Sequence, residues 1–245
     1  MSAPVDAPWY RPFTATGSAT VLHVDLAPHA DREAEALERL NPEERERWER
    51  YPYSGPRRQF VLCRAALRAV LCEQLGCRSD VLAFPTSEHG KPWATVAGAP
   101  APISFNVSHS GRHGLIAFAP EGRLGVDVEE LVPRRNLELL MDGVLAEDER
   151  REVAATAEPE RLRRFLRLWT MKEALLKAHG NGLLLDATTF EVPAAVRRGE
   201  PRGKLRLPQL PEVTWEVEDI GDEQFAAALA QEVDGEPGPD QAEPR

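Results

Sequence analysis

Two carboxylates stand two residues apart in the run Gly125-Val126-Asp127-Val128-Glu129-Glu130. In an extended chain successive side chains alternate, so Asp127 and Glu129 share one face while Val126 and Val128 turn towards a core. Like charges held side by side repel unless a cation lies between them, and a pair of hard oxygens suits magnesium. The competing reading is the solvent face of a strand that runs into a loop. In Trp169-Thr170-Met171-Lys172-Glu173-Ala174-Leu175-Leu176-Lys177, Glu173 and Lys177 lie one helical turn apart on a shared face. They form either an ordinary surface pair worth about 0.2–0.5 kcal/mol, or a third magnesium ligand followed by a cation for a phosphate. Trp169 and Met171 read as core. Upstream, Lys91 sits in Gly90-Lys91-Pro92, a tight turn. The run Phe105-Asn106-Val107-Ser108-His109-Ser110-Gly111 ends a strand in a hydroxyl, an imidazole and a glycine turn. A lone histidine is more often structural.

Elements to hold these groups can be read along the chain. Val21–Leu26 reads as a short strand, followed by charged helical stretches over Arg32–Leu40 and Asn41–Arg50. Asn41, Pro42 and Glu44 give the second of these an N-cap, a proline at its first position and an acidic first turn. Tyr51–Pro56 reads as a loop. From Phe60 to Leu75 apolar residues recur at helical spacing up to Gly76, a helix with its glycine stop. The pattern then returns. Gly125–Val128 echoes the strand His23–Leu26, Leu145–Glu152 echoes Leu40–Arg47, and Phe165 onward echoes Phe60 onward, the last two at one offset of 105 residues. Ile103–Val107 and Gly114–Ala119 read as strands between the copies. Thr188–Val192, Lys204–Leu207, Val213–Val217 and Gln224–Ala230 read mostly as short strands after the second.

The expected fold is α/β (α+β), a pseudodimer of two similar α/β halves with the active site in the cleft between them. Its expected divisions are an N-terminal extension over 1–19, an N-terminal lobe over 20–119 and a C-terminal lobe with the metal site over 120–232. A disordered tail is expected over 233–245, which holds no apolar residue after Val233 except Ala242. Where the first long helix has Arg64, Arg68 and Cys72, the second has Trp169, Glu173 and Lys177, which points to the second half for the chemistry.

The chain of 245 residues, 42% hydrophobic and 29% charged, has the composition of a globular protein able to bury a core. It has no apolar run long enough to cross a bilayer, and its start lacks the basic and apolar regions of a signal peptide. A cytoplasmic location is expected. A net charge of −10 argues against nucleic-acid and anionic-membrane partners. One basic stretch stands out, Gly55–Cys72, with Arg57, Arg58, Arg64 and Arg68 and no acid. It reads as a solvated helix face, or as a contact surface for a phosphate or an acidic protein. Cys63, Cys72 and Cys77 lack paired CxxC spacing and read as buried thiols without a metal or redox role.

Taken together, Gly90-Lys91-Pro92, Phe105–Gly111, Gly125–Glu130 and Trp169–Leu183 resemble, in order and spacing, the 4′-phosphopantetheinyl transferases of the two-lobed, surfactin-synthetase-activating type. The resemblance covers roughly residues 20 to 230. It implies transfer of the phosphopantetheine arm of coenzyme A to a serine of an apo acyl or peptidyl carrier protein, with magnesium as cofactor. It further implies that Asp127, Glu129 and Glu173 hold the metal and that Lys172 and Lys177 contact phosphates. Ser108, His109 and Lys91 would contact the nucleotide end. Relatives usually carry an arginine where this chain has Gln59, and Arg58 is the expected substitute at the 3′-phosphate. Glu173 and Lys177 are the expected catalytic pair, Glu173 or a metal-bound water beside it taking the serine proton. An acidic carrier would give Arg57–Arg68 a partner. A single chain that already holds both lobes can act as a monomer. The alternatives are a magnesium-dependent phosphodiesterase acting on coenzyme A, and a non-catalytic scaffold that binds coenzyme A or carriers.

Overall fold

A computed structural model describes residues 8–88, 90–180 and 185–234 of the chain. Its first sheet begins earlier than the sequence suggests. Residues Tyr10–Thr16 form an edge strand, β1, paired antiparallel with β2 (Ala19–Asp25), so this part of the expected 1–19 extension belongs to the first lobe. Pro12 had hidden it: proline is tolerated on an edge strand, and the register shifts between Pro12 and Thr14. Trp9 anchors the start, buried and donating its indole N–H to the Leu62 carbonyl at 3.1 Å.

Next come the helices α1 (Ala30–Glu38), α2 (Pro42–Glu49) and α3 (Ser54–Leu75). Asn41 and Glu44 close α2 with a reciprocal capping box, each side chain accepting from the other's backbone N–H. The helix α3 starts at Ser54, inside the expected loop, because a proline fits the first turn of a helix. It ends on Gly76 at φ 59°, a left-handed cap that costs glycine little. A small sheet of β3 (Leu82–Ala83), β4 (Thr95–Val96) and β5 (Ala99–Pro100) precedes the hairpin of β6 (Ser104–Ser110) and β7 (His113–Ala119).

The second half follows the same plan: β8 (Leu124–Glu130), α4 (Leu137–Val144), α5 (Glu147–Ala154) and the long α6 (Glu160–His179), stopped at Gly180. A four-residue α7 (Ala194–Arg197) leads into β9 (Arg202–Leu207), β10 (Leu210–Asp219) and β11 (Phe225–Val233). The two large sheets run β1-β2-β7-β6 and β8-β11-β10-β9, so β2-β7-β6 and β8-β11-β10 repeat one arrangement and the architecture is the expected pseudodimer. Thr188–Val192, expected as a strand, is instead a 3-10 turn over Ala187–Thr189 and irregular chain. Asp186 draws the Thr188 N–H and hydroxyl onto its side chain, and the carbonyls of Ala187 and Phe190 accept from Lys172 instead of a neighbouring strand. The expected tail begins at Val233, which closes β11; residues 235–245 lie outside the described residues.

Each half packs its long helix on one sheet face. Phe60, Leu67 and Leu71 of α3 join Val24 and Ile116 in one core, and Phe165, Leu168 and Leu175 of α6 join Trp215 and Val217 in another. The other sheet faces meet each other: Val21, Leu115 and Ala117 pack with Val126, Val128 and Leu229 in a third cluster between the halves. The strand β6 thereby comes to lie against β8. Of the cysteines, Cys63 is buried, and burial pushes its thiol up to about 12, whereas Cys72 and Cys77 are only half-buried.

Candidate functional site

The meeting of β8, β6 and α6 creates the site. Gly125 permits it: a Cβ there would lie 2.1 Å from the Ala174 carbonyl oxygen and 2.5 Å from the Ala178 nitrogen, so only glycine lets the α6 backbone rest on β8. Along β6, Asn106, Ser108 and Ser110 share a face by strand alternation and turn to β8. Asn106 Oδ1 accepts the Val126 N–H at 3.0 Å, Ser108 Oγ donates to Asp127 Oδ1 at 2.7 Å, and Ser110 Oγ donates to Glu129 Oε2 at 2.7 Å.

Cations complete the arrangement. Lys177 Nζ donates to Asp127 Oδ1 at 2.6 Å, to Ser108 Oγ at 3.0 Å and to the Val126 carbonyl at 3.3 Å. On Glu129, Arg134 donates to Oε2 at 2.5 Å. Asp127 is 4% exposed, yet its Oδ2 has no hydrogen-bond partner among the described residues. A buried carboxylate oxygen without a donor is costly unless something charged answers it. Glu173 is half-buried and accepts no hydrogen bond from the described residues. Burial, then Asp127, then Glu129 push its carboxyl above the usual carboxylate range, against the pull of Lys177. Three carboxylates within electrostatic reach, with one bare buried oxygen, are the donor chemistry of a hard divalent cation. Among the described residues, no three acids, histidines or cysteines are gathered closely enough to hold a metal ion as they stand. The oxygen donors are of the type that suits magnesium, and holding it would require these side chains to draw together.

The remaining expected site residues divide. Ser108 belongs to the cluster. His109 lines a cavity of about 150 Å³ with Arg47, Phe60, Arg64 and Pro92, and its crowded surroundings, then the charge of Lys177, lower its pKa. Lys91 reaches across to the end of α6, donating to the carbonyls of Lys177 at 2.7 Å, Ala178 at 3.2 Å and Leu124 at 3.3 Å. There it caps a helix terminus, and burial lowers its pKa to about 8. Arg58 donates Nε to the Leu26 carbonyl at 2.9 Å.

Lys172 stands against expectation. It is fully buried, with Nζ 2.6 Å from the equally buried Glu149 and bonded to the carbonyls of Val144, Ala187 and Phe190, so it has no donor left for a phosphate. The physical reason is the helix: neighbours in sequence point about 100° apart, and the face that shows Glu173 to the cleft turns Lys172 into the core. Burial pushes the Glu149 carboxyl up and the Lys172 ammonium down, and each charge offsets the shift of the other.

The basic stretch on α3 also differs from expectation. Arg68 is 2% exposed and donates to Glu44, Ser79 and the Leu82 carbonyl, while Arg64 pairs with Glu44 at 3.8 Å. Arg57 caps the end of α2 through the Tyr51 and Glu49 carbonyls. Glu44 answers Arg68 and Arg64, whereas Arg57 and Arg58 donate to uncharged carbonyls and stay half-exposed.

Sequence reasoning missed Ser110, Arg134 and Glu149. The serine was within reach, since Asn106, Ser108 and Ser110 alternate opposite Asp127 and Glu129. Arg134 lies in an irregular segment with no local pattern.

Residues 123–230 match the 4′-phosphopantetheinyl transferase superfamily, and residues 26–121 match the family described as 4′-phosphopantetheinyl transferase, N-terminal. A protein of Synechocystis sp. is 37% identical over 144 residues, 59% of this chain and 58% of its own length. The 4′-phosphopantetheinyl transferase HetI of Nostoc sp. is 31% identical over 192 residues, 78% of each chain. The 4′-phosphopantetheinyl transferase Sfp of Bacillus subtilis is 31% identical over 153 residues, 62% of this chain and 66% of that one.

Proposed function

We propose that this chain, which belongs to the 4′-phosphopantetheinyl transferase superfamily, moves the 4′-phosphopantetheine arm of coenzyme A onto a serine of an apo acyl or peptidyl carrier protein. The observation that carries this reading is the bare, buried Oδ2 of Asp127 beside Glu173, Glu129 and Lys177, at the seam between the two halves.

In this reaction the serine Oγ bonds to the β-phosphorus of coenzyme A. The bond from that phosphorus to the bridging oxygen breaks, and 3′,5′-ADP leaves with the electron pair. Phosphoryl transfer asks chiefly for in-line positioning and charge neutralisation. Asp127, Glu129 and Glu173 would hold magnesium, which when bound supplies neutralisation at the pyrophosphate. Glu173, or a water beside it, accepts the serine proton. Lys177 is held by Asp127, Ser108 and the Val126 carbonyl, but unlike Lys172 its side chain is partly exposed, and it would exchange one of these bonds to give its ammonium to the leaving phosphate. His109 faces the nucleotide end, with Arg58 for the 3′-phosphate, while Ser108 and Lys91 serve that end through the groups they hold, Asp127 and the end of α6. Residues 10–119 and 120–233 form the two lobes around the cleft, in a cytoplasmic monomer. No helix among the described residues is long and apolar enough to cross a membrane.

The test is mass spectrometry of several apo carrier proteins incubated with the chain, magnesium and coenzyme A. A mass gain equal to the phosphopantetheine arm is expected on the carrier serine. Rapid release of 3′,5′-ADP without a carrier would make the protein a hydrolase instead, and neither product would make it a binding scaffold.

A further inference from the structure

The two carboxylates of β8 are held in the same way. Asp127 gives one oxygen to a cation and a serine, Lys177 and Ser108, and Glu129 gives one oxygen to a cation and a serine, Arg134 and Ser110. Lys177 stands on the rigid helix α6. Arg134 stands in the segment 131–136, which forms neither helix nor strand, and its side chain is 29% exposed. It can therefore let go of Glu129 by rotation of its own side chain.

We propose that Arg134 is a positioning residue that competes with the divalent cation for Glu129 and withholds that ligand until the cation arrives. This inference rests on the metal-site reading above. With Lys177 and Arg134 engaged, two positive side chains answer three carboxylates, and the acids are not gathered around a common centre. A divalent ion drawn in among them would meet a guanidinium in contact with one of its ligands, and like charges at that range repel. Glu129 must give up Arg134 before it can join Asp127 and Glu173. An anionic substrate entering with the ion offsets the added charge and offers the freed guanidinium another partner. A bare ion does neither. The device disfavours a metal bound without substrate.

The measurement is manganese binding in the absence of coenzyme A, followed by electron paramagnetic resonance, on the full chain and on Arg134→Gln, Arg134→Lys and Asp127→Asn. Arg134→Gln is expected to bind the ion about fivefold more tightly, the weight of a partly exposed ion pair, with Arg134→Lys close to the parent. Adding coenzyme A is expected to narrow the gap between Arg134→Gln and the parent. Manganese affinity that is unchanged or weaker in Arg134→Gln, at an unchanged melting temperature, overturns the proposal while leaving the metal site standing. If Asp127→Asn binds manganese as the parent does, the metal-site reading fails and this inference fails with it.

Discussion

Asp25 and Asp127 occupy corresponding places in the two echoing strands, and the molecule treats them in opposite ways. Asp25 is answered locally: the Ala27 N–H donates to one oxygen at 2.9 Å and Arg32 to the other at 3.0 Å. Asp127 receives Lys177 and Ser108 on one oxygen and keeps the other bare and buried. Among the described residues, one copy of the repeat satisfies both oxygens of its carboxylate and the other satisfies one.

The long helices make the same point. At the common offset Arg68 of α3 corresponds to Glu173 of α6, and Glu44 corresponds to Glu149. Both glutamates sit in the first turn of a short helix and hold a buried base of the long helix. In the first half that base is Arg68 itself. In the second half the duty has passed to Lys172, one residue earlier, which turns it about 100° around the helix and frees the next position for Glu173. A shift of one residue in the structural base separates the long helix that spends this position on a buried ion pair from the one that turns a carboxylate to the cleft.

That comparison breaks most sharply at the buried pair. Lys172→Met leaves Glu149 without its counter-charge and is expected to cost about 3–5 kcal/mol in urea unfolding, with much of the loss recovered when Glu149→Leu is added. Arg68→Met is expected to behave alike in the first half. A cost near that of an exposed pair would end the equivalence of the two bases.

Gly125→Ala pushes the α6 backbone off β8 and is expected to lose about 1–3 kcal/mol. Gly143→Ala, where an added Cβ meets nothing within 4 Å, is the control that keeps or slightly raises stability. The smallest effect falls at the junction of the halves. His23 Nε2 lies 3.1 Å from His113 Nδ1, and both rings pack on Phe225. Burial lowers the pKa of both, and Arg11 and Arg112 add to it, against the pull of Asp25, Glu130 and Asp222. With folded values below 6.5, the unfolded chain binds more protons as pH falls through that value, so stability declines on the acid side. His23→Gln is expected to flatten that decline.

Much of this was open to reading in the residues. The helices α3 and α6 follow from 3.6-residue periodicity and their glycine stops, and the shared face of Asp127 and Glu129 follows from the period of a strand. Tyr10–Thr16 was hidden by Pro12, because a central strand excludes proline and an edge strand does not. Thr188–Val192 looks extended in isolation, but its carbonyls are claimed by an ammonium from elsewhere in the chain. Lys172 and Glu173 adjoin in one motif, and only the helix rotation separates a core residue from a cleft residue. Arg134 owes its place to a loop path that no local pattern encodes.

The central claim is that the carboxylate freed at position 173 performs the chemistry. Its most direct test is the rate of phosphopantetheine transfer to an apo carrier by Glu173→Gln, read by mass spectrometry beside the melting temperature. The account predicts a loss of about 100-fold or more at unchanged melting temperature. Transfer at the parent's rate would contradict it.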